Sequence, residues 1–259
     1  MPESLLPAML RRIQRAGPMT VAEYMAAALH DRSGGYYAGG DPFGAGGDFV
    51  TAPEISQMFG ELLGLWTISA WIGAGAPSPA CLVELGPGRG TLMVDMLRAI
   101  GGVVDPGEVF EIHLVESNRD LRAMQAQRLS PHKLIWHDDI ATLPEKPWFL
   151  VANEFFDALP IRQLRWTDGT WKECLVVTNE TGDGLAWGVE RAPSPLSGLL
   201  PPEVRDGAAE GTMVELTLAA SAITTDTARH IAKIGGAALL IDYGSERRSL
   251  GSSLQAVRD

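Results

Sequence analysis

Cysteine is nearly absent: Cys81 and Cys174 are the two in 259 residues. So sparse a pair excludes the disulfide scaffold of small secreted domains and implies a reducing compartment. No run of about 18 apolar residues occurs, so no candidate membrane span exists. Cations are short too, with 21 Lys and Arg against 32 Asp and Glu, a formal net charge of −11. That balance disfavours a nucleic-acid substrate, which needs a basic face for its phosphates, and suits a cationic one. The five histidines (30, 113, 132, 137 and 230) show no metal-ligand spacing, and no metal is expected. There is no Gly-x-Ser-x-Gly elbow, Walker loop or internal repeat. The seven tryptophans read as packing rather than as a base-stacking platform. What is present is a 46% apolar chain, enough for a substantial core.

The most informative stretch is Cys81-Leu-Val-Glu-Leu-Gly-Pro-Gly-Arg-Gly-Thr91. A short apolar run ends at Glu84, and glycines follow at 86, 88 and 90. Glycines so close let the backbone turn sharply and let a ligand approach. Thr91 to Leu97 then opens a helix, whose N-terminus offers free N–H groups. The dinucleotide fingerprint Gly-x-Gly-x-x-Gly/Ala fits badly, because its third position is Thr91. Gly-x-Gly-x-Gly preceded by Glu84 is instead the pattern of Rossmann-like S-adenosylmethionine (SAM) methyltransferases.

Three more short runs end in polar groups. Glu111–Val115 leads to Glu116, Ser117 and Asn118, and Glu116 lies 30 residues beyond Gly86. An acid at the end of a second strand takes ribose hydroxyls in doubly wound sheets, usually about 20 residues after the glycine loop. Gly101-Gly102 and Pro106-Gly107 read as an insertion that accounts for the excess. Lys133–His137 leads to Asp138, Asp139 and Ile140, where a carboxylate could accept from an adenine amino group and Ile140 could pack on the ring. Trp148–Ala152 leads to Asn153, Glu154 and Asp157. Polar groups at the C-terminal ends of serial parallel strands share the edge where open α/β sheets bind ligands.

At this point the chain resembles a known family. Val151-Ala-Asn-Glu-Phe-Phe-Asp-Ala-Leu-Pro160 is similar to a signature of the MidA-like methyltransferases. Gly47–Ser56, Ala237–Gly244, Gly17–Met25 and Ser33–Tyr37 match the same family. This bacterial and mitochondrial group is related to the arginine methyltransferase that assists assembly of respiratory complex I. The resemblance implies a Rossmann-like class I core, SAM as cofactor, and a protein presenting an arginine as substrate. It implies catalytic roles for Asn153, Glu154 and Asp157, and cofactor contacts at Glu84, Gly86, Gly88, Gly90, Glu116, Ser117, Asp138, Asp139 and Ile140. One of Asp138 and Asp139 could instead cap the next turn. Asn153, Glu154 and Asp157 could instead form a helix N-cap and its first-turn acids. Phe155 and Phe156 read as packing.

The organisation expected is α/β. A helical part at 1–75 surrounds a glycine-rich loop (34–47), and a Rossmann-like core follows at 76–259, with an antiparallel insertion at 161–211 after the fourth strand. Thr51 and Glu54 read as a capping box opening a helix with Ile55, Met58, Phe59, Leu62, Leu63 and Trp66 on a core face. Asp168-Gly169 reads as a hairpin turn. Residues 193–211 read as loop, 215–234 as helix and 237–242 as a fifth strand. The two further strands usual for this fold have no counterpart, and the family continues past this chain's end, so a truncated chain is expected. Arg11, Arg12 and Arg15 among apolar residues resemble a transit peptide, but Glu3 and a family match from residue 17 favour a helix of the fold. The compartment expected is bacterial cytoplasm, with the mitochondrial matrix as alternative. Oligomeric state is left open, a homodimer included. Competing functions are a small-molecule O- or N-methyltransferase, a non-catalytic SAM-binding assembly factor and, more distantly, an NAD-dependent oxidoreductase.

Overall fold

A computed structural model describes residues 5–31, 34–36, 51–244 and 250–254. The family matches at Ser33, Tyr37 and 47–50, and most of the glycine-rich loop, lie outside these residues. In chain order the elements begin with α1 (Leu5–Ala16), β1 (Met19–Thr20), α2 (Val21–His30), α3 (Ala52–Ile55) and α4 (Gln57–Gly73). Next come β2 (Ala80–Leu85), α5 (Thr91–Gly101), α6 (Pro106–Val109), β3 (Phe110–Val115), α7 (Arg119–Arg128), β4 (Leu134–His137) and β5 (Trp148–Asn153). The last are β6 (Arg162–Thr167), β7 (Thr170–Thr178), β8 (Leu185–Val189), α8 (Pro202–Arg205), β9 (Met213–Leu216), α9 (Leu218–Ile234) and β10 (Gly236–Ile241).

These elements divide into two units: residues 41–157 with 222–243, and residues 1–40 with 158–221 and 244–259. The division is not the one expected at residue 75. Helices α3 and α4 belong with the parallel sheet, because α4 packs on α5. The first two helices belong with the insertion, because β1 pairs with β7 (Met19 opposite Val176).

The first unit carries a fully parallel sheet in the order β10-β5-β2-β3-β4. Its inner strands are apolar on both faces, as parallel strands covered on both sides must be. Cys81, Leu82, Val83, Phe149, Leu150, Val151 and Ala152 are fully buried. Among the described residues no strand pairs with the outer side of β10. Helices α3 and α4, separated at Ser56, correct the reading of one helix with a single core face. Ile55, Met58 and Leu62 are 70%, 65% and 57% exposed, whereas Leu63 and Ile68 are buried and Phe59 and Trp66 pack at the core margin. The reason is the close approach of α5: a Cβ on Gly60 would lie 2.5 Å from Asp95 Cβ, and one on Gly64 2.6 Å from the Met96 carbonyl. The glycine face, not the larger apolar one, is turned inward. The capping box at Thr51 is also absent, since its side chain makes no cap hydrogen bond.

The second unit holds an antiparallel sheet in the order β1-β7-β6-β9, with β8 also on β7. Asp168 and Gly169 turn β6 into β7 with φ of +53° and +73°, the left-handed pair of a type I′ hairpin. The helix expected over 215–234 starts late. Residues 213–216 pair with β6 as β9, with Val214 buried opposite Leu164, and the helix begins at Leu218. Alternation of Val214 and Leu216 is the two-residue period of a strand, too short to read against the helix behind it.

Candidate functional site

All five parallel strands end at one level. The register sets Leu85 beside Val115 and Ala152, Val115 beside His137, and Asn153 beside Ile241. Chain order runs outward from β2 in both directions, so the switch point lies between β2 and β5. Open α/β sheets bind ligands outside the strand ends at such a point. The glycine turn and the 153–157 turn both stand there.

The glycine turn is built as its composition requires. Gly86, Gly88 and Gly90 have φ of +63°, +52° and +80°, which side chains with a Cβ rarely adopt. Gly90 is the N-cap of α5, and no side chain caps that helix end. Gln125, fully buried on α7, donates to the Gly88 carbonyl at 2.7 Å and accepts from Trp136 Nε1 at 2.8 Å. From α3, Glu54 accepts from the Thr91 hydroxyl at 2.5 Å and lies 3.6 Å from the Arg89 guanidinium. Neither Gln125 nor Glu54 stands out as a site residue in the sequence: Gln125 looks like any polar residue on a helix face, and Glu54 reads as a cap.

Two acids flank the turn, Glu84 buried and Glu116 half-buried. Glu84 is 3% exposed, and its Oε2 has no hydrogen-bond partner. Burial, helped by the nearby Glu116, pushes its pKa up to about 8. Glu116 is also raised, chiefly by burial, against the pull of the Asn118 N–H at 2.8 Å. An orphaned buried carboxyl oxygen is costly unless a ligand group meets it. Ser117 follows Glu116 on the exposed surface.

The carboxylates beyond β4 are already engaged. Asp138 is exposed and paired with Arg122 at 2.6 Å. Asp139 accepts from Ala141 N at 2.8 Å, capping the turn Ile140–Thr142, and Ile140 itself is buried. Asp139 is therefore the member of the pair that caps.

The turn after β5 is not a helix start. Residues 154–159 form turns and bends, so Asn153, Glu154 and Asp157 do not cap a helix. Glu154 takes φ +49°, and its N–H bonds to the Ile241 carbonyl at 2.8 Å. Asn153 Nδ2 donates to Glu154 Oε1 at 3.5 Å. Asp242, beyond β10, accepts from Phe156 N at 2.8 Å and Asp157 N at 3.1 Å. It is a third residue that fixes these turns, and in the sequence it stands only as the end of the expected fifth strand. Phe155 and Phe156 pack on the core, as expected of them. The structure thus brings together Glu84, the glycines, Glu116, Asn153 and Glu154 at neighbouring strand ends, with Asp138 and Asp139 farther along the same edge.

A glycine turn at the switch point of a parallel sheet, with acids closing the neighbouring strands, is the ligand-binding edge of a Rossmann-like α/β fold. The chain belongs to the family described as "Putative S-adenosyl-L-methionine-dependent methyltransferase", whose model matches residues 62–259. It is 38% identical over 270 residues to the protein arginine methyltransferase NDUFAF7 homolog, mitochondrial, of Drosophila melanogaster, covering 93% of this chain and 60% of that one. The human NDUFAF7 protein is 36% identical over 269 residues, covering 93% and 59%. A Burkholderia thailandensis protein solved with S-adenosyl-homocysteine superposes with a TM-score of 0.76 at 28% identity, covering 94% of this chain and 63% of that one. The chain thus spans about three fifths of the curated relatives' length. These likenesses agree with the MidA-like resemblance.

Proposed function

We propose that this chain binds SAM at the β2–β5 switch point and transfers its methyl group to an arginine side chain of a partner protein. The observation that carries the reading is the orphaned, buried Glu84 oxygen beside a left-handed glycine turn. A carboxyl there suits an amino group, the free N–H groups of α5 suit a carboxylate, and Glu116 suits vicinal hydroxyls. Ser117, Ile140 and the backbone of Asp138 and Asp139 complete the adenosine side, with the Asp139 carboxylate committed to its cap.

SAM supplies a methyl already activated on a sulfonium. This chain's task is to align a nitrogen with it and to exclude water. A guanidinium stays protonated in proteins and is held best by carboxylates. In the proposal Glu154 and Asp157 hold it, and Asn153 orients Glu154. As the N–C bond forms and the S–C bond breaks, the guanidinium gives up one N–H proton to this carboxylate pair. The names of the relatives support arginine as acceptor, and the MidA-like resemblance extends the proposal to a complex I subunit. Among the described residues no helix is long and apolar enough to cross a membrane. The bacterial cytoplasm remains the compartment proposed, with the matrix as alternative; the curated relatives carry mitochondrial names.

The test is Glu154→Gln. It should leave SAM affinity nearly intact while transfer to the partner falls more than about tenfold, since a buried charge-assisted contact is worth roughly 2–5 kcal/mol. Unchanged transfer would remove Glu154 from the mechanism. SAM binding with no transfer by either protein would favour the non-catalytic assembly factor.

A further inference from the structure

One polar cluster lies apart from the ligand edge, on one face of the parallel sheet. Cys81 is the second residue of β2 and stands in register with Glu111 on β3. His113 follows two residues later on the same face, since strand side chains alternate. One ligand atom of each, Sγ, a carboxylate oxygen and an imidazole nitrogen, lies within 4.8 Å of the others. In sequence 30 and 32 residues separate Cys81 from these partners, so linear spacing shows no motif; the register creates the cluster.

The hydrogen-bond chain behind His113 fixes which nitrogen faces the cluster with a lone pair. The Thr142 hydroxyl spends its single proton on the Asp139 carbonyl at 2.8 Å. It must therefore accept from His137 Nδ1, also at 2.8 Å. His137 Nε2 is then an acceptor, and His113 Nδ1 donates to it at 2.8 Å. His113 Nε2 is left unprotonated. That atom is buried, belongs to a side chain 3% exposed, and has no hydrogen-bond partner. Facing it at 3.6 Å is an oxygen of Glu111, too far for a hydrogen bond and itself electron-rich. A nitrogen lone pair, a carboxylate oxygen and a sulfur thus converge, with the Lys146 ammonium bound to the Glu111 oxygens as the neighbouring positive charge.

We propose that Cys81, Glu111 and His113 form a binding site for a single zinc-type divalent cation. Thiolate, imidazole and carboxylate together are the donor set of zinc rather than of magnesium or calcium. Three protein donors leave a fourth position for water, reached from the side of the partly exposed Glu111. The His137–Thr142 chain does what outer hydrogen bonds do in zinc sites: it fixes the tautomer and ring orientation of the ligating histidine. Lys146 donates to both Glu111 oxygens at 2.7 Å, but a carboxylate has about four lone-pair sites and can accept it while binding a cation. On binding, the Cys81 S–H bond breaks, its proton leaves to solvent, and the thiolate takes the metal.

The experiment uses the whole chain, stripped with a chelator and dialysed against Zn²⁺, then against Co²⁺. The wild type should take up one equivalent, gain thermal stability with added Zn²⁺, and show with Co²⁺ a thiolate charge-transfer band and tetrahedral d–d bands. Cys81→Ser should lose the charge-transfer band, whereas Cys174→Ser should keep it. Glu111→Gln, at a partly exposed position, should fold normally and bind Zn²⁺ at least about tenfold more weakly. No stoichiometric uptake by the folded wild type would overturn the site. So would equal Zn²⁺ affinity in the wild type and Glu111→Gln, which decides the matter even if Cys81→Ser does not fold.

Discussion

The carboxylate of Asp242 accepts the backbone N–H of Phe156 at 2.8 Å across 86 residues of sequence. The same oxygen takes Asp157 N at 3.1 Å, and the other oxygen takes Tyr243 N at 2.8 Å. The end of β10 therefore fixes the turn after β5. That turn needs fixing, because Glu154 sits at φ +49°, a conformation costing a non-glycine residue of order 1–3 kcal/mol. The residue proposed to hold the acceptor is placed by an acid on another strand.

The first prediction follows from that contact. Asp242→Ala should remove the charged acceptor of two turn N–H groups and cost about 1–3 kcal/mol of stability in denaturant melts. Methyl transfer should fall at least about tenfold while SAM affinity changes little. Asp242→Asn keeps one acceptor oxygen and should fall between. A variant that melts and turns over like the wild type would show that the turn holds itself.

The second prediction concerns pH. Folded Glu84 titrates near 8 against an ordinary 4.5, so between those values the native state holds a proton that the unfolded chain has released. Stability of the ligand-free protein should therefore be highest below about 4.5 for this group and fall as pH rises toward about 8. The slope should be at most about 1.4 kcal/mol per pH unit. Glu84→Gln should flatten it. Binding of an ammonium group at Glu84 should expel the proton, seen at pH 7 as a dependence of SAM binding heat on buffer ionisation enthalpy. Equal heats in all buffers would place the ligand amino group elsewhere.

Gln125 gives a third. Its amide clamps the Gly88 carbonyl and the Trp136 indole. Gln125→Leu should orphan both, costing about 1–3 kcal/mol for each buried group left unsatisfied, and should weaken SAM binding through the loosened glycine turn. Unchanged stability and affinity would mean that water replaces the clamp.

The parallel sheet was legible because its strands announce themselves: Cys81–Leu85 and Trp148–Ala152 are apolar runs bounded by turns. Glu84 and Glu116 are candidates from position alone, as acids at strand ends before loops, and the structure adds the unpartnered oxygen of Glu84. Gln125, Glu54 and Asp242 were not legible, because Gly88, Thr91 and Phe156, which they bond, lie 37, 37 and 86 residues away along the chain. The inward face of α4 was misread for a related reason. Apolar periodicity assumes the largest side chains face the core, whereas here Gly60 and Gly64 do, to let α5 close in. The Cys81–Glu111–His113 cluster exists only once β2 and β3 are in register.

The last prediction tests whether the glycine turn and the 153–157 turn are one steric unit. A Cβ on Gly86 would lie 2.7 Å from Cδ2 of Phe155, closer than real side chains approach. Gly86 also has φ +63°, so Gly86→Ala carries two penalties, backbone strain and collision with the ring. Phe155→Ala carries a different one, the loss of ring packing on the core. In the double variant the strain and the packing loss persist, but the collision is gone. The two substitutions should therefore be less than additive, with a coupling of about 0.5–3 kcal/mol by chemical denaturation, since residues in contact couple on that scale. SAM affinity should follow the same pattern: weakened by Gly86→Ala and partly restored by adding Phe155→Ala. Additivity within a few tenths of a kcal/mol would separate the two turns and remove Phe155 from any part in shaping the site.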